Sequence, residues 1–147
     1  MAERFAALFV GMLIVCAVLT LALLAISGPA ELDEIGPANL VAGGLQLALL
    51  GTLFGALAIG VGAATGRRGL VYAVVAIVAA AGFFGNNLGP AVEGLAWLRD
   101  VSPFHYYSGG LPLRIGLQIV DAAVLAIASI VLVVPGGWRF DRRDLAV

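Results

Sequence analysis

The stretch LVAGGLQLALLGTLFGALAIGVGAAT, residues 40–65, decides how this chain must be read. It holds no charged side chain, and at 1.5 Å per residue a helix of that length crosses the roughly 30 Å hydrocarbon layer of a bilayer. GRRG follows at 66–69, then a second uncharged run, LVYAVVAIVAAAGFFGNNL, at 70–88. So short a link between two long apolar segments predicts a tight antiparallel helical hairpin. Two more long apolar stretches flank it, Phe5–Ile26 and Ile115–Val134. All four are continuously apolar rather than alternating, which excludes a β-barrel and leaves the helix as the way to satisfy the backbone in lipid.

Composition agrees with the segments. Of 147 residues, 62% are hydrophobic and 12% charged, with a mean hydropathy of +1.08, too apolar for a soluble domain of this size. The expected fold is therefore all-α and integral to the membrane: four transmembrane helices in a single domain over 1–147. They are predicted at about 5–27, 39–65, 69–88 and 112–135. The expected connections are outer loops at 28–38 and 89–111, an inner loop at 66–69 and a cytoplasmic tail at 136–147. A cleavable signal peptide ending near Ala25-Ile26-Ser27 is the competing reading of the first segment. Its apolar core is too long, and Glu3-Arg4 supplies no net positive charge.

Direction follows from the arginines, because all eight basic residues are Arg and they resist transfer across the membrane. With four crossings, Arg4, Arg67, Arg68, Arg139, Arg142 and Arg143 share one side, and only Arg99 and Arg114 lie opposite. Both termini are expected in the cytoplasm and the protein in the cell membrane. The carboxylates agree more weakly, with Glu31, Asp33, Glu34, Glu93 and Asp100 all in the outer loops. A net charge of −1 suggests no nucleic-acid partner. Cys16 lies within an apolar run as a small hydrophobe and, as the only cysteine, cannot form an intrachain disulfide.

The connectors differ in kind. Gly28–Asn39 reads as a turn with Pro29, Gly36 and Pro37, closing on Asn39 as N-cap of the second helix. The 89–111 loop is long and gathers Trp97, Phe104, His105, Tyr106 and Tyr107, so it is expected to lie along or dip into the outer surface. Val92–Arg99 is read as one short interfacial helix. Ser102-Pro103 should break it, and Gly109-Gly110 then Pro112 should start the fourth crossing.

Several residues stand out as candidates. Gly51 with Gly55, and Gly62 with Gly66, form two GxxxG pairs that let helix backbones approach closely, more readily within the chain than in a dimer. Gly60, Gly62 and Gly66 loosely resemble a dinucleotide fingerprint, but no βαβ unit surrounds them. No GxxxxGK[ST] loop exists, so the chain itself is expected to bind no cofactor, and ATP-driven work would need a partner. Asp121 is the one ionisable residue within a crossing, which makes it the leading candidate for a pathway or a gate. Gln118 is expected on the same helix face, and an interfacial bond from Asp121 to a neighbour or to Arg114 is the equal alternative. Asn86 and Asn87 either line a polar path or end the third helix. His105 and Tyr106 are candidate outer-gate residues. His105 has no cluster around it for a metal, and no nucleophile, base and orienting group recur, so no enzyme is expected.

Three islands resemble a known family. Ser102-Pro103-Phe104-His105-Tyr106-Tyr107, continued by Gly109-Gly110-Leu111-Pro112-Leu113-Arg114, is similar to the outer loop and the start of the last helix in ABC-2 type transporter permeases. Phe140-Asp141-Arg142-Arg143-Asp144-Leu145 resembles the tail after their final helix, and Thr65-Gly66-Arg67-Arg68-Gly69-Leu70 their last inner link. The resemblance runs over nearly the whole chain. It implies the last four of six crossings of an exporter permease, in which a separate ATPase subunit hydrolyses ATP and a second permease copy or homologous half completes the pathway. The first two helices and the ATPase-docking segment have no counterpart before Phe5, so a fragment, a split half or a degenerate copy is expected. A four-helix interaction or assembly protein that transports nothing is the alternative reading.

Overall fold

The computed structural model describes residues 2–26, 36–108 and 111–143. The connection read as a turn around Pro29 with Glu31, Asp33 and Glu34, the Gly109-Gly110 pair and the last four residues lie outside them, as does the cleavage position at Ser27. Every regular element described is helical: α1 (Ala2–Ile26), α2 (Pro37–Thr65), α3 (Arg68–Leu88), α4 (Trp97–Val101), α5 (Pro103–Ser108), α6 (Pro112–Ile115) and α7 (Ile119–Arg143). A single 3-10 turn, Gly89–Ala91, extends α3. Three spans, Glu3–Ile26, Pro37–Thr65 and Arg68–Ala91, are long and apolar enough to cross a membrane, and the apolar part of α7, Ile119–Pro135, is shorter.

The ends of α2 show why the hairpin is tight. Pro37 opens the helix at a position where its missing N–H costs nothing, after Gly36. Gly66 closes it at φ 66°, and its N–H donates to the Gly62 carbonyl at 2.8 Å. Only Gly66 and Arg67 separate α2 from α3. Asn39, expected as the cap, instead sits inside the first turn. Its Nδ2 donates to the Arg114 carbonyl at 3.3 Å and so pins α6 to the start of α2.

α2 is the axis of the molecule, with α1, α3 and α7 each packed along it. A run of small residues on one face, Gly44, Ala48, Gly51 and Gly55, lets α1 approach. A methyl group at Gly44 would overlap the Thr20 hydroxyl, at Gly51 it would meet Met12, and at Gly55 Leu8. The pairing is antiparallel, since numbers rise on one helix as they fall on the other. α7 runs parallel to α2, because Gly116 lies beside Asn39 while Gly60 abuts the Leu132 carbonyl further along.

Two expectations are corrected in the last third. The reading of Val92–Arg99 as one interfacial helix fails, because Val92–Ala96 is not helical. Two short helices follow instead, meeting at Ser102. The fourth helix, expected unbroken over 112–135, is interrupted at Gly116–Gln118. Gly116 takes φ 91°, a conformation open to glycine and strained for any other residue. α7 also continues past Pro135 to Arg143, so most of the expected tail is helical. A proline deletes only one backbone donor, and the surrounding helix tolerates that loss.

α5 occupies the gap between α3 and α7 and rests on α2. Its Phe104 ring packs against Phe54, centroids 5.8 Å apart, and Phe54 lies about 25 Å along the helix axis from Pro37 at 1.5 Å per residue. The segment expected at the surface thus folds back beyond the midpoint of α2. There it joins the core of Leu50, Leu53 and Leu125.

Candidate functional site

The candidate site is this fold-back segment, which side-chain hydrogen bonds from Ser102 and Gln46 tie to the apolar helices. Ser102 begins it. The residue is buried, its Oγ donates to the Gly82 carbonyl of α3 at 2.7 Å, and the same oxygen accepts from the Phe104 N–H at 3.2 Å. One hydroxyl therefore starts α5 and ties it to α3. The approach is close because Gly82 leaves room: a Cβ there would come 3.2 Å from Pro103 Cδ and 3.3 Å from the Phe104 ring. Ser102→Ala is expected to cost about 1–2 kcal/mol, the size of a lost N-cap with its tertiary bond, in thermal unfolding of the purified chain. An unchanged transition would show that Phe104 packing alone holds the segment.

Gln46 holds the other end. It is 1% exposed in the middle of α2, and its Nε2 donates to the Tyr106 carbonyl at 2.5 Å. Its Oε1 is buried and receives no hydrogen bond. A buried amide with one of its two ends unpaired is costly, so this anchor is weaker than a fully satisfied one. Between the two anchors, Phe104 is gripped by Phe54 and by Phe83, whose ring meets it edge-on at 6.0 Å.

His105 stands at the more polar margin. Arg99 Nε donates to His105 Nδ1 at 3.2 Å, which bridges α4 to α5 across the Ser102 turn. That bond requires Nδ1 to be the unprotonated nitrogen of the ring. The imidazole also meets the Tyr106 ring edge-to-face at 5.4 Å. His105 and Tyr106 are thus neighbours on α5, with Tyr106 held through its backbone carbonyl.

The other candidates are not gathered here. Asp121 lies half-buried in the first turn of α7, where a carboxylate meets the positive end of the helix dipole. No ion pair to Arg114 or to any other described residue holds it. Gln118 is outside the helix, so it shares no helical face with Asp121; its carbonyl instead accepts the Ala122 N–H at 3.0 Å and starts α7. Asn86 and Asn87 belong to the last turn of α3, and Asn87 Nδ2 donates to the Phe83 carbonyl of its own helix at 2.8 Å. Among the glycines, Gly51 and Gly55 face α1, Gly66 is a cap, and Gly62 has only an ordinary contact with Val71. Arg67 and Arg68 sit exposed at the α2–α3 turn; the side chains of Arg139, Arg142 and Arg143 lie outside the described residues.

Among the described residues, no group of three or more His, Cys, Asp or Glu stands close enough to hold a metal. Sequence reasoning passed over Gln46; it named Ser102 as a helix break and Gly60 within a dinucleotide-like spacing, but not for the contacts they make. Gln46 had a readable signal, as the single side-chain amide in an otherwise apolar crossing. No protein-family model, curated protein or solved structure matches the chain.

Proposed function

We propose that this chain is the membrane-embedded part of the permease subunit of an ATP-binding-cassette exporter, with the Pro103–Ser108 segment serving as a lid on the pathway. A bilayer location rests on helices that are apolar on all sides and yet uncovered. On α1, Val18 is 60% and Leu21 65% exposed, and such a surface requires lipid or further helices around it. The arginine distribution supports a cell-membrane protein with both termini in the cytoplasm. ATP would be bound by a partner ATPase, and a second permease copy or homologous half would complete the pathway.

The observation that carries the lid is the insertion of α5 between α3 and α7, secured by two side-chain bonds, from Ser102 and Gln46. A wedge held by few polar contacts in apolar surroundings can leave without dismantling the helices beside it. Withdrawal of α5 would open the space between α2, α3 and α7 toward the outer face.

A second reading is favoured by another observation. The hydroxyls of Thr20, Thr52, Thr65 and Ser129 all donate to the carbonyl four residues back in their own helix, so their protons are spent within the helices. A four-helix protein that stabilises another membrane complex would need no route. The two separate by expression with the neighbouring ATPase gene product and any upstream helices encoded with it. Co-purification with ATP hydrolysis that responds to Gln46→Leu supports the exporter. Absence of any association supports the passive module and overturns the first reading.

A further inference from the structure

We propose that the cleft between α1, α2 and α6 is a lipid site, and that its occupant is an acidic phospholipid from the leaflet at the Pro37 end of α2, with an acyl chain along the groove and the headgroup on Arg114. The inference rests on the bilayer location proposed above and not on transport. The cleft has a volume of about 670 Å³, within the range of sites that take small ligands. Its walls are Leu19 and Leu23 of α1 and Leu40 and Leu47 of α2, and it extends down α1 as far as Cys16. From Cys16 to Leu23 is about 10 Å of helix, enough for the upper part of one acyl chain.

The polar end of the cleft is built by the chain that returns from the fold-back segment. Arg114 and Tyr107 line it there, and among the described residues Arg114 is the one cation in its lining. The Arg114 backbone is fixed from below by Asn39, while its exposed guanidinium makes no ion pair with any described residue. A guanidinium at the mouth of an apolar cleft is matched by a phosphate, whose two free oxygens accept its paired donors. A zwitterionic headgroup brings its own cation and competes for the same phosphate. Charge complementarity therefore selects an acidic lipid.

The test uses the purified full chain in neutral detergent. Native mass spectrometry would follow titration with palmitoyl-oleoyl phosphatidylglycerol, with phosphatidylcholine of the same chains, and with palmitate. The wild-type chain is expected to prefer phosphatidylglycerol over phosphatidylcholine about tenfold, the worth of one charge-assisted contact. Arg114→Gln is expected to abolish that preference while phosphatidylcholine binding persists, which also shows the variant is folded. Leu47→Trp, which fills the groove, should weaken both lipids, and Arg99→Gln, outside the cleft, should change neither. Equal binding of the two lipids to the wild type, or a preference that survives Arg114→Gln, overturns the site. Displacement of phosphatidylglycerol by equimolar palmitate overturns the lipid source. Headgroup selection without ATPase association would sink the exporter alone, and association without selection would sink this site alone.

Discussion

Gly60→Ala is expected to destabilise the protein by about 2–3 kcal/mol, the upper part of the range for forcing an extra carbon into a packed seam. The new methyl carbon would stand 2.5 Å from the Leu132 carbonyl oxygen, an atom of the α7 backbone that no side-chain rotation can move. The two helices would have to separate along their whole contact. Gly62→Ala, two residues further on, is the matched control. Its methyl would lie 3.5 Å from Val71 Cγ2, an ordinary contact, and replacing a mid-helix glycine by alanine reduces backbone entropy lost on folding. That variant is expected to be neutral or stabilised by about 0.5–1 kcal/mol. Thermal unfolding of the two purified variants decides the matter; equal midpoints would mean that α2 and α7 do not meet at Gly60.

Gln46→Ala is the second large expectation. It deletes the bond to the part-buried Tyr106 carbonyl, which loses this donor, and opens a void beside Ala42 and Leu50 on α2. The loss of the buried Oε1, which receives no bond, offsets part of this. A net cost of about 2–3 kcal/mol follows, combining an unsatisfied carbonyl with a cavity. Gln46→Leu keeps the volume and should cost about 1–2 kcal/mol, the carbonyl alone. In both variants the amides of His105, Tyr106, Tyr107 and Ser108 are expected to exchange with solvent hydrogen faster, while those of α1 keep their protection. Unaltered exchange across α5 would remove Gln46 as its anchor, and with it the lid mechanism built on two releasable bonds.

The hairpin was legible because its causes are local. An uncharged run of the right length, a proline suited to the first turn of a helix and a glycine that can end one in the left-handed region are all properties of neighbouring residues. The same locality explains the errors. Val92–Arg99 has the composition of an interfacial helix, but Gly94 takes φ 88° and the backbone closes in local turns, with the Leu95 N–H on the Val92 carbonyl and the Leu98 N–H on the Leu95 carbonyl. Gly116 breaks the fourth segment through a backbone angle that composition does not disclose. Asp121 drew attention as a charge in an apolar run, and the helix proves to restart at Ile119, two residues before it.

The candidate site divides in the same way. His105 and Tyr106 were marked from sequence by their type and their company. Ser102 was marked only as a break, and Gln46 and Gly60 were passed over as site or packing residues, because what matters about them is the distant atom each one meets. Gly82, Tyr106 and Leu132 are the partners, and sequence separation hides all three.

By itself, the sequence determined that this protein would be helical and where the α2–α3 turn would fall; of the four long crossings it led us to expect, three are long helices and the last is shorter. Helix formation and termination are governed by side chains within a few positions of one another. Only the tertiary structure decided that the aromatic segment would fold back beside Phe54 and that Gly60 would face the α7 backbone at Leu132. Those outcomes depend on which surfaces meet, and in apolar helices of nearly uniform composition the meeting is settled by shape and by a few buried polar bonds.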